Sequence, residues 1–97
     1  MPTYATLINW TDQGVRSVKD SPKRLDAAKK ELEKLGGKLT SFHMTQGMYD
    51  AILMFEVPSD EAAAKFLLKT ASAGNVRTAT LKAYTEAEYR KILEGLG

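Results

Sequence analysis

The sequence has no cysteine, a single histidine and only three prolines. Without thiols there is no disulfide scaffold, no thiolate metal site and no cysteine nucleophile, and one imidazole leaves little for a histidine-based site. No metal and no cofactor is therefore expected, and the lack of cysteine fits a cytoplasmic location. No apolar run approaches the ~20 residues of a membrane span, and the amino terminus begins a polar-interrupted strand pattern where a signal peptide would carry an apolar core. Excess charge is missing too. Fourteen Lys and Arg against 12 Asp and Glu leave a formal charge of +2, too small for the broad positive field that holds phosphate backbones. Neither a membrane nor a nucleic acid is expected as partner. What remains is ordinary globular material, 43% hydrophobic and 27% charged over 97 residues, which is the length of one domain, 1–97.

The stretch Tyr4 to Trp10 is rich in β-branched and aromatic residues and stops at the polar segment Thr11 to Gly14, which predicts a first strand. Val15 to Ser21 reads as a long connection or an irregular helical turn anchored by Val15 and Val18. Ser21-Pro22 then opens a helix on which Leu25, Ala28, Leu32 and Leu35 recur at helical spacing, and Gly36-Gly37 ends it. Lys38 to Thr45 and Tyr49 to Val57 predict two further strands around a hairpin tip at Gln46-Gly47. Ser59, Asp60 and Glu61 start a second helix, which stops at Gly74. Val76 to Tyr84 alternates as a fourth strand, and Thr85 with Glu88 forms a capping box for a short last helix carrying Tyr89, Ile92, Leu93 and Leu96. The order is βαββαβ with an extra C-terminal helix. That is the α+β, ferredoxin-like plan, with two helices on one face of a four-stranded antiparallel sheet.

With Gln46-Gly47 at the tip, Phe42 would face Ala51, His43 would face Asp50, Ser41 would face Ile52 and Leu39 would face Met54. Phe42, Met44, Ala51, Leu53, Phe55 and Val57 then form the bed for the helices. Leu39, Ser41, His43, Asp50, Ile52, Met54 and Glu56 fall on the opposite face. Leu39, Ile52 and Met54 there would make an apolar patch that a monomer usually avoids, so a second copy related by a two-fold axis is the expected partner. A homodimer or higher homo-oligomer follows, with only the terminal helix as a competing cover.

Five residues stand out as candidate ligand-binding positions. His43 opposite Asp50 would give an imidazole whose tautomer the acid fixes, although a plain cross-strand hydrogen bond explains the pair as well. Trp10 and Tyr49 offer rings with a polar handle, suited to a pocket and equally to core or interface. Arg77, in a strand of small residues, would clamp an anion or sit at an edge or in an ion pair between subunits. Asp50 and Glu56 lie roughly 20 Å apart at strand rise, too far to act as one dyad. No phosphate loop, dinucleotide fingerprint, zincin helix or calcium loop is present. No catalytic residue is assigned.

Three segments carry a family resemblance: Asn9-Trp10-Thr11-Asp12-Gln13-Gly14, Gly47-Met48-Tyr49-Asp50, and Gly74 to Thr85. Together they resemble the GYD domain family of small bacterial and archaeal proteins, with Met48 standing between the glycine and the Tyr-Asp pair. The resemblance implies a dimeric α+β barrel of ferredoxin-like fold and implies no reaction. The expected function is a small oligomeric module, non-catalytic or binding a small apolar ligand in a pocket between paired sheets. The alternative is a cofactor-free or heme-degrading monooxygenase of the dimeric α+β barrel type, for which Asn9, Trp10, Tyr49 and His43 supply the residue types. Asn9 and Trp10 are strand neighbours, however, and so point to opposite faces. A nitrogen-regulator type of trimer would need a long loop between the second and third strands, and an RNA-recognition fold would need basic-flanked aromatics on the central strands.

Overall fold

A computed structural model describes residues 1–97. β1 (Thr3–Trp10) leads into a short helix α1 (Asp12–Arg16), one 3-10 turn (Val18–Asp20) and α2 (Ser21–Lys34). β2 (Lys38–Met44), β3 (Ala51–Glu56), α3 (Asp60–Ser72), β4 (Val76–Ala83) and α4 (Glu86–Glu94) follow. The sheet runs β2-β3-β1-β4 with every neighbouring pair antiparallel. This is the ferredoxin-like order read from the sequence, with α2 and α3 on one face.

Local chemistry fixes the helix ends. Gly36 has φ of +83°. Its N–H donates to Glu33 O at 3.0 Å and the Gly37 N–H to Leu32 O at 2.8 Å, which closes the last turn of α2 as a left-handed glycine termination. Ser59 Oγ accepts from Ala62 N at 3.1 Å at the start of α3. At α4 both halves of the capping box form: Glu88 N donates to Thr85 Oγ1 at 3.1 Å and Thr85 N to Glu88 Oε1 at 2.8 Å. That backbone contact holds the Glu88 carboxyl below its usual range. Val15 and Val18 are exposed rather than anchoring their segment. Polar bonds hold it instead: Ser17 Oγ donates to Gln13 O at 3.2 Å, and Arg24 Nη1 to Ser17 O at 3.1 Å.

The hairpin departs from the expected register. His43 pairs with Ile52, Phe42 with Leu53 and Ser41 with Met54, and the ladder then shifts so that Leu39 pairs with Phe55. Two causes combine. Thr45 N donates to Asp50 O at 2.9 Å, so the turn spans residues 46 to 49 rather than a tight tip, and the shift by two residues keeps every side chain between 41 and 44 on its expected face. Thr40 is then an extra residue, a β-bulge, and it turns Leu39 to the helix side, where it packs on the core. The expected facing of His43 and Asp50, and the place of Leu39 on the free face, are both corrected.

The core is a cluster of Tyr4, Leu32, Leu53, Phe55, Val57, Ala63 and Phe66. Phe55 stacks on Tyr4 with ring centroids 5.1 Å apart and meets Phe66 edge-on at 5.0 Å. Leu53 and Phe55 are core as expected. Phe42 is not: on the edge strand it remains 38% exposed. The terminal helix covers nothing. No residue of α4 is buried, its Ile92 is 50% exposed, and the molecule reaches 52 Å along its longest axis.

Candidate functional site

The two sides of the sheet present different surfaces. On the side away from α2 and α3, the pairings align His43, Ile52, Leu7 and Ala79 in one row across all four strands, and Ser41, Met54, Ala5 and Leu81 in the next. Leu81 is 59% exposed there. Lys38 and Glu56, with Nζ and Oε1 3.9 Å apart, border these rows at one end, and Asn9 with Arg77 borders them at the other. The surface is thus apolar in the middle and polar at its margins, the layout of a protein contact. Beside it lies a shallow hollow of about 220 Å³ lined by Leu7, Met48, Tyr49 and Ile52, among others.

A larger cavity, about 420 Å³, opens on the helix side between α2 and α3. Ile8, Trp10, Phe42 and Leu53 form its floor, while Leu25 and Ala28 of α2 face Leu67 and Thr70 of α3 across it. Small side chains on the facing helix sides, Ala27 and Ala28 of α2 against Thr70 of α3, leave the space between the helices unfilled. Lys69 Nζ crosses the gap to Glu31 Oε2 at 2.9 Å, and this bond is the main reason the Glu31 carboxyl lies below its usual range. The cavity lies at the Trp10 end of the layer, whereas Phe55 at the other end belongs to the packed cluster.

The five residues singled out in the sequence do not converge. Trp10 lines the helix-side cavity. Tyr49 lines the hollow by the free face. His43 is exposed on edge strand β2. The Asp50 carboxylate accepts from the Trp10 backbone N–H at 3.0 Å and from Asn9 Nδ2 at 3.5 Å. It is therefore committed to tying the hairpin to the end of β1, and Asn9 Nδ2 adds a bond to Met48 O at 3.0 Å. Arg77 is exposed at the start of edge strand β4. No group of three His, Asp or Glu side chains could hold a metal ion, and no helix is long and apolar enough to cross a membrane.

One ionisable pair sits at the far end of the core. The Tyr4 hydroxyl donates to the Asp60 carboxylate. Burial, and then that carboxylate, push the phenol up to about 12, while the same bond together with Lys82 lowers Asp60. Sequence reading missed Arg24, Leu25, Leu67 and Thr70 as cavity-lining residues. The alanines of α2 were the visible signal, since a small residue on a core-facing stripe leaves space.

A family model described as GYD domain matches residues 4–93. A Thermus thermophilus protein described as a glutamine synthetase and cystathionine beta-lyase binding protein is 32% identical over 89 residues, covering 91% of this chain and 94% of the relative. Among solved structures, MtbAldR superposes with a TM-score of 0.68 at 12% identity, over 88% of this chain and 52% of that one. The leucine response regulatory protein of Mycobacterium tuberculosis gives 0.57 at 20% identity, over 87% and 51%. This chain spans about half the length of either structure, and at such identities the likeness is one of fold.

Proposed function

Because the chain belongs to the GYD domain family, and a relative sharing 32% of its residues is described as an enzyme-binding protein, we propose that it is a non-catalytic binding module. In this reading it pairs with a second copy, sheet against sheet, and docks as a dimer on a metabolic enzyme such as a glutamine synthetase. The observation that carries the pairing is the uncovered free face. Ile52, Leu7, Met54 and Leu81 lie side by side in two rows, and α4, the one helix left after α2 and α3 take the other face and α1 its single turn, has no buried residue and leaves them uncovered. Covering several hundred Å² of such surface at roughly 25 cal/mol per Å² contributes many kcal/mol before association entropy is charged. A two-fold axis makes the patch its own complement. The hollow by Tyr49 and Ile52 would be roofed by the second sheet, which is where the reading places a small apolar ligand. In this reading His43 and Arg77 lie at the polar margin of the pairing surface, and Asp50 holds the turn beside it.

Light scattering at micromolar concentration tests the pairing. The wild type is expected at twice the 10.7 kDa chain mass, and Ile52→Lys, which places a charge mid-patch, is expected at one chain mass with its far-ultraviolet spectrum unchanged. A wild-type monomer refutes the dimer. Calorimetric titration of purified glutamine synthetase with the wild-type protein tests the docking; saturable binding that Ile52→Lys loses supports it, and no heat at tens of micromolar refutes it.

A further inference from the structure

The helix-side cavity lies on the opposite face of the sheet from the pairing surface and plays no part in it. We propose that this cavity is a binding site for a small amphipathic monocarboxylate, an aliphatic or aryl acid whose apolar body lies against Ile8, Trp10, Leu25 and Leu67 and whose anionic head meets Arg24.

The volume, about 420 Å³, falls in the range of small-molecule sites, and it equals the liquid volume of about fourteen waters. Water is a poor occupant for it. The walls are mainly aliphatic and aromatic carbon, which offers few of the partners that ordered water needs. An apolar body recovers what the open layer lacks, because Ile8 and Leu25 here are only half-buried although they belong to the same face as the packed cluster.

The head group follows from charge. Two cationic side chains border the cavity, Lys69 and Arg24. Lys69 is neutralised by Glu31 at 2.9 Å. Arg24 has no carboxylate partner: its Nη1 donates to Ser17 O at 3.1 Å and to Ser17 Oγ at 3.2 Å, and its Nη2 donates to Gly14 O at 3.1 Å. A guanidinium has five N–H groups. The two left over, on Nε and Nη2, have no acceptor in the protein, so the charge and its remaining donors are available to one carboxylate. One uncompensated charge in an apolar wall selects a monoanion, since a phosphate dianion or a nucleotide would bury unmatched charge and polarity.

Octanoate and 1-octanol share a chain and differ in the head, and Trp10, the only tryptophan, reports from within the wall. Titration followed by Trp10 emission and by calorimetry is expected to show one octanoate per chain, bound at least tenfold more tightly than 1-octanol. Arg24→Gln should bring octanoate down to the level of octanol and leave octanol within twofold. Because Arg24 also holds the end of α1, Thr70→Phe provides a separate check: it fills the cavity from α3, keeps the guanidinium, and should abolish binding of both. No saturable response to octanoate, equal binding of the two probes by the wild type, or octanoate binding that survives Thr70→Phe would each overturn the proposal. A ratio near one on the wild type refutes it without any variant.

Discussion

Two phenylalanines on neighbouring strands should differ sharply in what they contribute to stability. Phe55 lies fully buried in β3 between the Tyr4 and Phe66 rings, with Leu32 and Val57, also fully buried, in the same cluster. Truncation to Ala removes a ring from the packed end of the layer, where a central strand and two helices restrict collapse. The cost should be about 4 kcal/mol, within the ~3–5 kcal/mol range for a buried Phe, part of it from two ring contacts of ~0.5–1.5 kcal/mol each. Phe42 faces the same side but is 38% exposed and borders the open cavity. Its truncation enlarges a space already open to solvent, so only the transfer of a partly covered ring is lost, about 1 kcal/mol. Against a total stability of roughly 5–15 kcal/mol for a domain this size, the first change is severe and the second mild. Urea titrations at equal chain concentration, with unchanged slopes, give both values directly. Costs within about 1 kcal/mol of each other, or in reverse order, would refute the picture of a layer packed at one end and open at the other.

Tyr4→Phe should alter the pH profile at both extremes. The Tyr4 phenol is raised from 10.0 to about 12, so its contribution is complete below pH 10 and is lost as pH climbs towards 12; the variant should show a flatter alkaline limb of urea midpoint against pH. Asp60 is lowered from its ordinary 3.8, so its contribution is present above that value and fades as pH falls below it, less so in the variant; identical limbs for both proteins would sink the argument. Gly14→Ala should cost ~1–3 kcal/mol, because the added carbon would lie 1.9 Å from Asn75 O. Gly95→Ala, at the end of α4 with φ of −74°, should instead be neutral or slightly stabilising. Asp50→Ala should cost ~1.5–3 kcal/mol through the lost bond to the Trp10 N–H and speed amide exchange at Trp10.

The elements were legible because each is written locally. The capping box of α4, the double glycine after α2 and the alternation in β4 are all decided within a few residues. The register of β2 on β3 was not, because distant partners set it. Asn9 and the Trp10 N–H of β1 hold the turn through Met48 and Asp50, and nothing inside the hairpin sequence announces that. Side-chain alternation survived a two-residue shift and so kept Ile52 and Met54 on the free face, but the bulge at Thr40 reversed Leu39. The candidate site suffered from the same blindness. Trp10 was recognisable as a pocket residue, yet the cavity it lines depends on how far α2 stands from α3, a distance that no single segment encodes.

The central strand β1 has its two ladders completed at very different times. Its partner β3 lies in the middle of the sequence, but β4 pairs Thr3 with Ala83 and Trp10 with Val76, which joins nearly the two ends of the chain. On a ribosome adding ~5–20 residues per second, β1 would wait roughly 4 to 15 s for that partner to be synthesised. Throughout that interval one edge of β1, from Thr3 to Trp10, has its backbone donors and acceptors unmatched, as does any folding intermediate that has formed only the β1–β3–β2 ladder. Closing so long a loop carries a large entropic cost before the contact rewards it, which is the kind of pairing that slows folding. A chain that lacked residues 76–83 would leave that edge of β1 without its partner.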